Sequence, residues 1–183
     1  GSGTLTFSGS SSNSFSGGLD IASGTVVLAK TAGTNATGGG AITVGDGTGR
    51  AGSAVLQLGA SNQIPDYVPQ VTINSDGKLA LNGLSESLNV IAGTGVIDFG
   101  TGGYLQVGGN SGSSLFGGSL TGTGTLEKAG SGSLTFASSI TFAGDLTLSG
   151  GTLALNGTTL TVGVLHITGN TVIDFGSSSA SIL

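Results

Sequence analysis

The sequence predicts an all-β fold wound as a β-solenoid. Three observations carry that prediction. Apolar residues alternate with polar ones in short bursts, glycine-centred turn pairs separate the bursts, and two sets of internal repeats differ only in their loops.

The bursts run Leu5 and Phe7, Leu19 and Ile21, Val26 and Leu28, Ile42 and Val44, Leu56 and Leu58, Val71 and Ile73, Leu79 and Leu81. Later come Leu134 and Phe136, Leu146 and Leu148, Leu153 and Leu155, Leu160 and Val162, Leu165 and Ile167. A period of two puts each pair on one face of a short strand. Between them sit Gly17-Gly18, Asp46-Gly47, Asp76-Gly77, Asn82-Gly83, Gly150-Gly151 and Asn156-Gly157. Such pairs supply the positive φ that tight corners need.

Composition agrees. Of 183 residues, 38 are Gly, 26 Ser and 23 Thr, nearly half the chain, and only 13 are charged. Those residue types are poor helix formers, which excludes a helical bundle. With no cysteine, a disulfide scaffold and a thiolate metal site are excluded. The supply of Val, Ile, Leu and Phe excludes ordinary disorder.

Phe15 to Leu28 aligns without gaps on Phe142 to Leu155, and Leu5-Thr6-Phe7 on Leu134-Thr135-Phe136. Leu79-Ala-Leu-Asn-Gly83 recurs as Leu153-Ala-Leu-Asn-Gly157, and each copy precedes Val-Ile-Asp-Phe-Gly, at Val96 to Gly100 and at Val172 to Gly176. One structural unit is reused, with insertions confined to loops. A sandwich or barrel needs longer strands and closed hairpins. The reading is one solenoid domain over 1–183, with repeat units near 1–60, 61–121 and 122–183. Coils of about 20 residues give about nine coils and a rod about 43 Å long. Phe7, Phe99, Phe136 and Phe175 are expected in the core, and Ser and Thr on the wet faces.

Gly122-Thr-Gly-Thr-Leu-Glu-Lys-Ala-Gly-Ser-Gly-Ser-Leu-Thr-Phe136 resembles the signature of the autotransporter-associated β-strand repeats, also called passenger-associated transport repeats. Phe142-Ala-Gly and Gly150-Gly-Thr-Leu-Ala-Leu155 continue that pattern, and Gly1 to Leu28 resembles the same unit entered halfway. The resemblance implies a right-handed parallel β-helix on the outside of a bacterium: a stalk, adhesin or surface fibre. Beginning with Gly1, and with no signal peptide, the chain reads as a piece of something longer.

The net charge of −5, with only Lys30, Arg50, Lys78 and Lys128 as basic residues, disfavours nucleic acid and anionic membranes as partners. No apolar run is long enough to insert as a spanning helix. The single histidine, His166, alternates with Leu165 and Ile167 and so faces solvent. One His supports no Ser-His-Asp arrangement and no zinc site. Asp98 and Asp174 occupy equivalent turns, expected about four coils apart, too far for a catalytic carboxylate pair. Each is expected to face solvent or to cap its turn by bonding the following glycine. Asp20, Asp46, Asp76 and Asp145 read as turn residues. Gly45-Asp-Gly-Thr-Gly49 is a single distant look-alike of a calcium-binding nonapeptide. No catalytic residue, cofactor site or metal site is expected.

Two tyrosines, Tyr67 and Tyr104, are the candidate exposed contact residues. Residues 61–70 hold both prolines and break the period, as a plain corner or a protruding functional loop. Asn35-Ala-Thr37 and Asn156-Gly-Thr158 match glycosylation sequons, read as coincidental in a bacterial protein. Open coil ends without polar caps point to self-association end to end, through Leu5 and Phe7 at one end and Ile182 and Leu183 at the other. The leading function is therefore a rigid extracellular rod stacking into a surface filament. The alternative is an adhesin or glycan-binding stalk segment of an autotransporter-like passenger. A β-helix polysaccharide lyase or hydrolase ranks last, for want of charge and with a single His.

Overall fold

The computed structural model describes residues 1–176. Their strands, in chain order, begin with β1 (Thr4–Gly9), β2 (Leu19–Ile21), β3 (Gly24–Lys30), β4 (Ile42–Val44), β5 (Ala54–Leu58), β6 (Val71–Ile73) and β7 (Gly77–Ala80). Next are β8 (Ser85–Leu88), β9 (Ile91–Gly93), β10 (Val96–Val107), β11 (Ser114–Phe116), β12 (Ser119–Lys128) and β13 (Ser133–Phe136). The last are β14 (Ile140–Thr141), β15 (Asp145–Leu148), β16 (Gly151–Ala154), β17 (Leu160–Thr161), β18 (Leu165–Ile167) and β19 (Thr171–Asp174).

One sheet runs β1-β3-β5-β7-β10-β12-β15-β18, with β8 also on β10; a second runs β2-β4-β6-β9-β11-β13-β16-β19; β14 and β17 pair separately. Every ladder is parallel, and the chain is a β-solenoid of about 8 turns. The long strands show how the coil is shaped. β10 pairs with β7 through Val96 to Asp98 and with β8 through Tyr104 to Val107. Between those stretches its register on β12 shifts twice. Gly100 and Gly102, both at positive φ, make the bend. Each long strand therefore turns a corner, and the coil has three faces. The first carries β1, β3, β5, β7 and the leading halves of β10 and β12. The second carries β8, their trailing halves, β15 and β18. The third carries the eight-stranded sheet.

Thr4 pairs with Thr25 and Leu146 with Leu165, coil periods of 21 and 19 residues. Gly24 pairs with Ala54, 30 residues on. That insertion, made in a loop, is why about eight coils form where nine were expected.

Alternation does what the sequence required. β3 and β5 alternate strictly between buried and half-buried residues. Inward columns such as Val26–Leu56–Leu79–Ile97–Leu120 stack like on like through successive coils. Phe99 and Phe142 meet ring to ring at 4.6 Å. Phe99 and Phe136 are buried, and Phe7 packs partly buried against the core. Phe175 departs from expectation: it is 39% exposed, on the last described coil, with no described coil above it to cover the ring.

Corners fix where glycine is needed. Gly93 has φ +105°, and a Cβ there lies 2.0 Å from the carbonyl oxygen of Ile73 in the coil beneath. Gly93→Ala should therefore cost at least about 3 kcal/mol, combining left-handed strain with a backbone clash. Urea denaturation of the variant checks this; an unchanged midpoint contradicts it.

The internal repeats are two-coil units. Leu79 stacks on Ile97 and Ala80 on Asp98, as Leu153 stacks on Ile173 and Ala154 on Asp174. Leu81 N donates to the Asp98 carbonyl at 2.8 Å, and Leu155 N to that of Asp174 at 2.8 Å. Asn82 and Asn156 turn both corners with φ 54° and 49°. The same holds for the longer repeat: Leu5 pairs with Val26 as Leu134 pairs with Leu153. Yet β1 and β3 lie on the first face while β13 and β16 lie on the third. Register within the repeat is kept, and the repeat as a whole has moved by one face.

Candidate functional site

The second face is irregular in its first three coils. No strand forms between β3 and β4, or between β5 and β6, where the later coils place β8, β15 and β18. The chain still needs partners for the buried backbone there. Polar side chains supply them. Glu86 occupies an inward position of β8, at the foot of the column Leu105–Leu126–Leu146. Its Oε2 accepts from Gln63 N at 2.8 Å and Ile64 N at 3.2 Å, and its Oε1 from Ser87 N at 3.2 Å. The Gln63 side chain repeats the device one coil down, its Oε1 accepting from Lys30 N at 2.8 Å. Lys30 Nζ in turn donates to the carbonyls of Ser8 and Ser11, at 3.3 and 2.6 Å. All three residues are buried. Burial pushes the Glu86 carboxyl up to about 7, against the pull of the three amides, with Asp66 adding to the rise.

Lys128 is a parallel case further along. It stands inward between Val107 and Leu148 and is fully buried. Its Nζ donates to the carbonyls of Ala129, Gly130 and Gly150, at 2.5, 3.1 and 3.2 Å, tying one coil's corner to the next. Burial lowers its pKa. Neither Glu86 nor Lys128 was singled out from sequence, because a charge at an inward strand position reads there as part of a polar face.

Outside this irregular wall lies a groove. The 61–70 loop is largely anchored: Gln63, Ile64 and Val68 are buried, and Asn110 Nδ2 donates to the Asp66 carbonyl at 2.8 Å. Only its tip stands out, with Tyr67 66% exposed. Phe15 is 37% exposed two coils away, on the far side of the coil that carries Gly38 and Gly39. Both rings close onto glycine backbone, since a Cβ on Gly38 meets Phe15 Cδ2 at 2.8 Å and one on Gly39 meets Tyr67 Cε2 at 2.7 Å.

Tyr104 lies elsewhere. It was expected to be exposed, but it is half-buried on the second face, and its hydroxyl donates to Glu127. Burial and then the Glu127 carboxylate push the phenol up to about 12. For Glu127, the upward effect of burial is outweighed by hydrogen bonds from Ser149 and Tyr104, so its pKa falls.

The remaining candidates fall into structural roles. Asp98 Oδ1 accepts from Gly100 N at 3.1 Å and Asp174 Oδ1 from Gly176 N at 2.8 Å, the turn caps expected of them. Lys78 bonds Asp98 at 2.6 Å and lowers its pKa. Asp98 and Asp174 sit in different sheets. Asp46 accepts from the hydroxyl and amide of Thr48, which hold its pKa down. Asp76 does more than turn its own corner: fully buried, it accepts from Gly47 N at 2.8 Å and Gly49 N at 3.2 Å of the coil beneath. The calcium look-alike therefore spends two of its amides on Asp76, and its own carboxylate, Asp46, on Thr48. Asp145 accepts from Val164 N at 2.9 Å, and Asp20 is exposed. His166 is exposed on β18, with Nε2 3.9 Å from Asp145. Among the described residues no three His, Cys, Asp or Glu side chains gather as a metal site. Leu5 is 53% exposed beside the half-buried Phe7, while Ile182 and Leu183 lie outside the described residues.

The two copies of the longer repeat are also where family likeness falls. A family model described as Passenger-associated-transport-repeat matches residues 1–28 and 126–155. Over those two stretches, less than half of the chain, the sequence is similar to passenger-associated transport repeats. The first match covers β1, β2 and most of β3; the second covers the end of β12 through β16. The buried Lys128, which clamps two corners, falls within the second matched stretch. Neither the curated proteins nor the solved structures compared contain a significant match. The transport repeats and the solenoid fit a passenger-like structural segment, and the repeat family implies a secreted or surface-exposed bacterial protein.

Proposed function

We propose that this chain is a rigid rod segment of an extracellular bacterial surface protein, and that its terminal coils seat further solenoid, copy on copy, to extend the rod into a filament. One observation carries the rod. On the third face an unbroken outward column runs Asp20–Thr43–Thr72–Ala92–Leu115–Thr135–Ala154–Asp174, in register through every coil. Stacked coils of this kind resist bending because each shares a full hydrogen-bond ladder with the next.

Support for stacking comes from the first coil. Within the described residues β1 pairs with β3 alone, so its other edge offers free N–H and C=O groups beside Leu5. A head-to-tail contact of unlike ends does not close on itself and grows as a fibre. Sedimentation velocity and negative-stain microscopy test it. Filaments that lengthen with concentration and disappear in Leu5→Lys are expected. Monodisperse particles at high concentration overturn the stacking, and particles of globular outline overturn the rod.

A further inference from the structure

We infer that the groove on the irregular second face is a binding site for an uncharged, linear glycan. The inference is independent of end-to-end stacking. The groove is built from three adjoining clefts. The first joins Phe15 to Asn35 and Tyr67, the second joins Asn35 and Tyr67 to Asn62 and Asp66, and the third joins Asp66 to Asn110. With Ser87 of β8, which lines the second and third clefts, the lining spans five successive coils, so the groove runs along the rod for about 19 Å, at one strand spacing per coil. A site that long fits an extended chain, not a single sugar.

Its chemistry selects the occupant. Tyr67 and Phe15 present exposed rings braced against Gly39 and Gly38, which fixes them before any ligand arrives. Flat apolar rings of this kind suit the apolar faces of sugar rings, and pre-set rings reduce the ordering cost of binding. The neighbouring polar groups are amides and hydroxyls. Asn35 and Asn62 spend their backbone amides on Ser12 Oγ and the Ser85 carbonyl. Their side-chain amides, and the Asp66 carboxylate, have no hydrogen-bond partner among the described residues. An amide offers donors and an acceptor together, which matches a hydroxyl. No Lys or Arg lines any of the three clefts. With Asp66 in the wall and a net charge of −5, sulfated and uronic acid chains are disfavoured.

Calorimetric titration with hexamers of β-1,4-glucose, α-1,4-glucose, mannose and N-acetylglucosamine tests the site, with a heparin hexamer as the anionic comparator. Binding of at least one neutral hexamer is expected. That binding should fall at least tenfold in both Tyr67→Ala and Phe15→Ala, and stay unchanged in Leu115→Ala, an exposed apolar residue on the third face. Tyr67→Ala should melt with the parent, since most of its ring is already in water, so lost binding there is not lost fold. The inference is overturned if no neutral hexamer binds, if both aromatic variants keep parental affinity, if heparin binds as well as the neutral chains, or if a dimer of this chain fills the groove and Tyr67→Ala abolishes it.

Discussion

Phe99→Ala lowers the stability of the rod by about 3–5 kcal/mol, whereas Phe175→Ala, in the same pentapeptide, lowers it by about 1 kcal/mol. The two phenylalanines have identical flanks, so local propensity predicts equal effects. Burial separates them. Phe99 is fully buried and stacks on Phe142 of a later coil, while Phe175 keeps over a third of its surface in solvent. Removing Phe99 opens a cavity between coils that the stacked ladders cannot collapse to fill. A loss of this size is a large share of the roughly 5–15 kcal/mol that stabilises a typical domain. Urea titration of both variants by circular dichroism gives the comparison. Equal losses contradict the coil order described above.

Glu86 governs a second large effect, and its sign is unusual for a carboxylate. Its folded value of about 7 stands above the ordinary 4.5. Between those values the folded chain keeps a proton that the unfolded chain has released. Stability from this residue is therefore greatest below about pH 4.5 and declines as pH rises to about 7, by about 3 kcal/mol in all. Thermal melts from pH 5 to 8 should show that decline in the parent, clear of the opposite slope from Asp98, whose depressed value costs stability only in acid below that window. Glu86→Gln removes the decline while keeping an oxygen for Gln63 N and Ile64 N. Glu86→Ala strands both amides in the core, at a cost of about 2–5 kcal/mol at any pH. If the Glu86→Gln melts follow the parent's pH profile, the buried carboxyl is not the titrating group.

These two residues also mark how far the sequence could be read. Phe99 was legible: period-two bursts and repeated pentapeptides specify inward columns without reference to what lies above or below. So were the Asp98 and Asp174 caps, because an Asx turn is closed within two residues of chain. The exposure of Phe175 was not, since it depends on what packs against its ring from another coil, which the pentapeptide does not specify. The shift of the transport repeat by one face was also hidden. Its two copies keep their internal register, and the face is set by lengths summed over the loops between them. Glu86, Lys128 and Asp76 escaped for a related reason. Each satisfies backbone groups from another coil or corner, and no local pattern announces a partner more than 20 residues away. The groove was half visible. Tyr67 was marked by its proline-flanked loop, but Phe15 joins it only once Gly38 and Gly39 bring the two coils together.

The central claim is an in-register rod, and one distance reports on it. The chain has no cysteine, so Asp20→Cys and Asp174→Cys can carry the only two spin labels. Both positions are exposed and belong to the third-face column, seven strand spacings apart. Double electron–electron resonance should give a single narrow distribution centred at about 34 Å between backbones. A broad distribution, or a peak below about 20 Å as in a sandwich whose ends fold back on one another, contradicts the rod.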